Sequence, residues 1–169
     1  REVILPAFNE ATPWEDVIEG IQDGTLTPTV GDTKTVDLGT FGTHTLRVAN
    51  TTTPAECSTT GFSQTACGLV LEFADIITTH VMNSTNTNVG GWKDTAMRTY
   101  LNTDSGNVFS QINDGAQNVI VTVKKDYMAS YNATAVATTP SEYKLWLLAS
   151  SEIWSDGYQY DSIKPNGYG

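Results

Sequence analysis

Any chemistry in this chain has to come from its cysteines, its histidines or a pair of its carboxylates. Cys57 and Cys67 are its two cysteines. They lack Cys-x-x-Cys spacing and have no histidine companions, so they do not form a zinc pattern. They bracket a loop, where a disulfide would add about 3 kcal/mol on the chain-entropy account; the other reading is a pair of buried thiols. His44 lies in an alternating segment, at what reads as a solvated strand position, and His80 lies in a polar stretch. No nucleophile elbow accompanies either ring, so no histidine-dependent catalytic site is expected.

Glu142, Glu152 and Asp156 flank a Trp/Tyr-rich C-terminal region, a composition that would suit glycoside chemistry with aromatic subsites. Spacing in sequence fixes no carboxyl separation, and a solvated acidic face is the expectation. Residues 102–107, Asn-Thr-Asp-Ser-Gly-Asn, resemble part of a calcium loop without its closing bidentate Glu, and read as a helix-terminating turn. No catalytic residue, metal ligand or cofactor is therefore expected. Trp154, Tyr158 and Tyr160, with Tyr168, are the candidate ligand-binding residues, able to stack on sugar rings or contact a protein; the alternative is a tail packed on the core. Asn-x-Ser/Thr triplets at Asn50, Asn83 and Asn132 matter only in a glycosylating host.

The elements that must position these residues follow from periodicity. Thr12-Pro13-Trp14-Glu15 has the form of a capping box with Pro at the first helical position. Trp14, Val17, Ile18 and Ile21 recur at helical spacing, predicting a helix over 13–23 ended by Gly24. Residues 30–38 and 43–49 alternate in period two around Gly39 and Gly42, a hairpin whose inner face carries Val36, Leu38, Leu46 and Val48. The apolar run 67–74 reads as a buried strand, 93–101 as a helix with Met97, Tyr100 and Leu101 inward, and 108–117 as another short helix. Residues 118–124 and 143–149 read as strands. Short helices among strands without regular βαβ alternation make the fold class α+β, with short helices packed on an antiparallel sheet.

Length and charge set the outer limits. A chain of 169 residues favours one domain, and nineteen acidic residues against nine basic ones leave a net charge of −10. That balance argues against nucleic acid and anionic membranes as partners, and the longest apolar run, 66–77, carries Glu72 and Asp75, so no membrane insertion is expected. Polar but weakly charged composition rich in Thr, Asn and Gly suits an extracellular or cell-surface β-rich protein.

Three stretches together resemble a bacterial surface-protein family catalogued as domain of unknown function 6273: residues 65–77, residues 82–92 with 97–102, and residues 144–154. The opening helix with Val30-Gly-Asp-Thr-Lys34 is similar too, so the resemblance covers about Trp14 to Tyr160. It implies relatedness to the C-type-lectin and formylglycine-generating-enzyme folds, no established catalysis, and Asn88, Gly90, Gly91, Trp92 and Arg98 as structural signature residues. On physical grounds the paired glycines would let backbone approach the Trp ring, and Arg98 would bond neighbouring carbonyls.

The family's Trp-rich second half is missing, yet Val3-Ile-Leu-Pro-Ala-Phe8 resembles its closing strand. Residues 1–11 therefore read as an N-terminal strand, exchanged between subunits or left from an upstream repeat, and 12–169 as a single α+β domain. Ile4, Leu5 and Phe8 would carry the exchange, by completing a neighbour's open sheet. The expected function is non-catalytic: adhesion through a glycan or protein ligand, or self-association into an oligomer or filament as a repeating surface-fibre subunit. An enzyme with a formylglycine-generating-enzyme-like fold and a phage receptor-binding module are the alternatives.

Overall fold

A computed structural model of the chain describes residues 7–51, 68–103, 107–125 and 141–148. A 3-10 turn, Trp14–Asp16, leads into α1, Val17–Asp23, which buries Val17 and Gly20. Gly24 ends it at φ 76°, the left-handed conformation that releases a glycine but strains other residues. The N-terminus departs from the expected capping box. Thr12 Oγ1 instead accepts from Asn9 N–H (3.0 Å) and donates to Ala7 C=O (3.2 Å), so its side chain closes the preceding turn.

β1 (Thr33–Asp37) and β2 (Thr43–Asn50) pair antiparallel through a 3-10 turn at Gly39–Phe41, and β3 (Val70–Phe73) pairs antiparallel with the other side of β2. Val36, Leu38, Leu46 and Val48 are buried, as the alternation predicts. A register shift between Val48 and Asn50 marks a bulge at the end of β2. α2 (Ala96–Asn102) follows a 3-10 turn at Gly91–Asp94, and α3 (Val108–Gln111) and α4 (Asp114–Val119) complete the helices among the described residues. β4 (Val123–Lys125) and β5 (Ser141–Tyr143) form a separate antiparallel pair. The architecture is α+β: a three-stranded antiparallel sheet with short helices.

Two apolar clusters share Trp14 and Leu71 at their margins. One centres on Val36, Leu38, Leu46, Ile112 and Ala116, the other on Phe8, Val17, Leu26 and Val48. Phe8 meets Trp14 edge to face at 6.0 Å and is 1 % exposed, so it seats in the core of its own chain. Lys34 is buried with its stem on the sheet's inner side. Its ammonium sits 5.1 Å from the Trp14 ring and donates to Glu10 C=O at 3.1 Å. The Glu10 carboxylate accepts from Thr35 N–H and Oγ1–H, which covers the outer edge of β1.

Two expected strands are shorter than their sequences suggest. Within 118–124, residues Asn118 and Val119 still belong to α4, because Asn113 caps that helix through Ala116 N–H (2.9 Å) and its own N–H donates to Asp37 C=O (3.0 Å). These bonds, with Ala116 and Ile112 in the core, outweigh the β-branched run that follows. Of the described residues 143–148 only Tyr143 pairs in a ladder; Lys144 and Leu145 are bound by a side chain instead, as described next.

Candidate functional site

The segment from β3 to α2, residues 74–95, combines solvent-facing apolar side chains with a dense set of backbone anchors. Ala74 N–H extends the β2 ladder to Thr45 C=O (2.9 Å). Next, Asp75 meets His44, whose Nδ1 lies 3.0 Å from both carboxylate oxygens while Nε2 lies 2.8 Å from Phe41 C=O. This pair raises the His44 pKa above its ordinary 6.5, through the Asp75 bond first and the Phe41 carbonyl second. The solvated position expected for His44 is thus replaced by a half-buried one, 13 % exposed at the side chain. Its parity with Leu46 and Val48 along β2 was the available signal.

Further on, His80 stacks on Tyr100 with ring centroids 4.0 Å apart and planes 10° apart, its Nδ1 bonded to Val81 C=O at 2.7 Å. The first N–H groups of α2 have no partners within the helix, and each is supplied from this region. Asn83 Oδ1 accepts from Ala96 (3.1 Å), Met82 C=O from Met97 (3.1 Å) and Thr95 Oγ1 from Arg98 (3.1 Å). Asn83 Nδ2 also donates to Thr87 C=O (2.8 Å), so the Asn-x-Ser/Thr side chain at this position is engaged on both sides. Against these anchors, Ile76, Val81, Met82 and Val89 face solvent, Ile76 at 83 % and Val89 at 76 % exposure.

Asn88, Gly90, Gly91 and Trp92, four of the five residues expected as a structural signature, lie at the end of this segment, and the fifth, Arg98, lies in α2. Asn88 C=O accepts from Gly91 N–H (3.2 Å), and Gly90 and Gly91 have φ of 88° and 61°. A Cβ on Gly90 would run into the Asp94 carboxylate. Gly90 therefore serves a left-handed turn beneath Asp94. Trp92 and Arg98 are half-buried, and Trp92 C=O accepts from Thr95 Oγ1–H (2.9 Å) and Thr95 N–H (3.2 Å).

Asn102, read as the start of a polar turn, is a clamp with no local mark in the sequence. Its Oδ1 accepts from Lys144 and Leu145 N–H (both 2.8 Å), and its Nδ2 donates to Leu145 C=O (2.9 Å) and Arg98 C=O (3.0 Å). All four hydrogen-bonding positions of the amide are used. The same clamp ties the C-terminal end of α2 to Lys144 and Leu145.

Among the described residues no three His, Cys, Asp or Glu side chains gather as a metal site, and no helix is long and apolar enough to cross a membrane. Ile4, Leu5, Cys57, Cys67, Trp154, Tyr158 and Tyr160 lie outside the described residues. A groove of about 510 Å³ runs between residues 7–13 and α1, lined in part by Asp16, Glu19 and Asp23. Thr25 holds the Asp23 carboxyl below its usual range by donating from both hydroxyl and backbone. No family model, no curated protein and no solved structure matches the chain.

Proposed function

We propose that this chain is a non-catalytic secreted or cell-surface domain that acts in adhesion, with the 74–91 segment as its contact surface. The observation that carries the reading is the pairing of exposed Ile76, Val81, Met82 and Val89 with a backbone fastened at Ala74, Asp75, Met82 and Asn83. Apolar side chains held outward on an anchored loop lose little conformational entropy when a partner covers them. The resemblance of residues 65–77, 82–92 with 97–102, and 144–154 to domain of unknown function 6273 supports the same reading, and with it a lectin-like ancestry.

A second reading, a repeating fibre subunit, is favoured by the attachment of the N-terminal segment. Phe8 plugs a socket of Trp14, Val17, Leu26 and Val48, and Glu10 covers the β1 edge, contacts that the same segment of a neighbouring copy supplies equally well.

Binding of the intact chain to arrays of immobilised glycans and extracellular proteins, with products assayed in parallel, tests the first reading. Micromolar binding without turnover, lost in a Val81→Ser/Val89→Ser variant of unchanged Tm, is expected; product formation, or binding indifferent to those changes, would contradict it. Light scattering of the intact chain and of a form lacking residues 1–10, which removes Phe8 and Glu10, with Tm recorded for both, tests the second. Oligomers that disappear on truncation support exchange, and monomers from both forms refute it.

A further inference from the structure

We propose that His44 and Asp75 form a proton-operated latch, fastening the root of the 74–91 segment to the β1–β2 hairpin while the imidazole is charged and releasing it when the ring loses a proton. The latch operates whatever the segment binds. His44 Nδ1 lies 3.0 Å from both Asp75 oxygens and Nε2 lies 2.8 Å from Phe41 C=O. A carboxylate and a carbonyl only accept, whereas a neutral imidazole carries a single N–H. Deprotonation therefore sets a ring lone pair against one of the two oxygens, and only the imidazolium donates to both.

Asp75 is placed where that change matters. Ala74 N–H makes the last bond to β2, at Thr45 C=O, and Ile76 is already 83 % exposed. Among the described residues the charged group in contact with His44 is Asp75. Asp37, near it on β1 and opposite Thr43, has its carboxylate on Gly39 N–H (2.8 Å). Lys34, further along β1, is tied to Glu10 C=O. Glu72 of β3 is paired with Arg47, whose odd position on β2 points it to the other face. Gln111, from α3, is neutral and bonds Thr40.

The direction follows from linkage. His44 is held above its ordinary 6.5 in the folded chain, so the latch contributes fully below pH 6.5 and is lost as pH rises through the raised folded value.

NMR titration of His44 in the intact chain and in Asp75→Asn, together with amide exchange at Ala74 corrected for the intrinsic base-catalysed rate, tests it. Asp75 is 60 % exposed, which makes its replacement safe for folding. The expected result is a His44 pKa above 6.5 that falls in Asp75→Asn, each unit of difference being about tenfold in the latch equilibrium. Ala74 protection should drop through the same titration in the intact chain and lose that pH dependence in Asp75→Asn and His44→Gln. The Val48 amide, bonded to Asp32 C=O (2.8 Å), serves as the steady reference. A His44 pKa at or below 6.5, one unmoved by Asp75→Asn, or Ala74 protection that ignores the titration would overturn the latch.

Discussion

The β1–β2 hairpin and the 74–91 segment are neighbours joined through β3, yet they are held in opposite ways. The hairpin turns Val36, Leu38, Leu46 and Val48 inward and leaves Thr33, Thr35 and Asp37 to solvent, so burial of apolar surface fixes it. The segment turns Ile76, Val81 and Val89 outward and is fixed by side-chain and carbonyl oxygens on the N-terminus of α2. Order bought by hydrogen bonds leaves the apolar groups free for another surface. The two regions should consequently fail in different ways when altered.

The largest loss is expected in the hairpin. Leu38 is fully buried, and Leu38→Ala should cost about 3 kcal/mol in denaturant unfolding, with the whole domain affected. A cost under about 1 kcal/mol would mean that this face is not the centre of the core. Asn102→Ala should follow at about 2 kcal/mol, since it strands the Lys144 and Leu145 amides, and exchange should rise at those amides first. Uniform loss across the domain would show that the clamp is merely part of the core.

Gly90→Ala should cost about 1–2 kcal/mol because it combines a left-handed backbone with a collision against Asp94. Asn83→Ala should cost about 1 kcal/mol, as loss of a helix cap does. Its signature is faster exchange at Ala96 with the Leu46 and Val48 amides unchanged, and an equal rise at all of them would erase the distinction between the two regions. Smallest of all, Val89→Ser should change stability by no more than about 0.5 kcal/mol while weakening the binding proposed for this surface.

The same contrast explains what could be read from the residues in order. Alternation over 33–48 announces the hairpin and its inner face, and the spacing of Trp14, Val17 and Ile21 announces α1, because burial writes a period into the sequence. Side-chain-to-backbone bonds write none. Asn102 looks like any turn Asn, although its partners lie at Lys144 and Leu145, forty residues on, where the expected strand gives way to an amide clamp. Asn83 reads as a glycosylation triplet and is a substitute cap for α2. Val119 belongs to a strand-forming run and sits in α4, because tertiary packing of Ile112 and Ala116 fixes that helix. His44 was legible in principle from its parity with Leu46, but its partner Asp75 was not, since pairing across β2 and β3 depends on a register that composition does not set.

Backbone 15N relaxation over 79–91 and 33–48 tests most directly whether hydrogen bonds hold the segment as firmly as burial holds the hairpin. Order parameters of about 0.85 in both regions are predicted. Values below about 0.6 through Val81 and Val89, beside a rigid hairpin, would contradict the account, because a segment that moves on that timescale is no preformed contact surface.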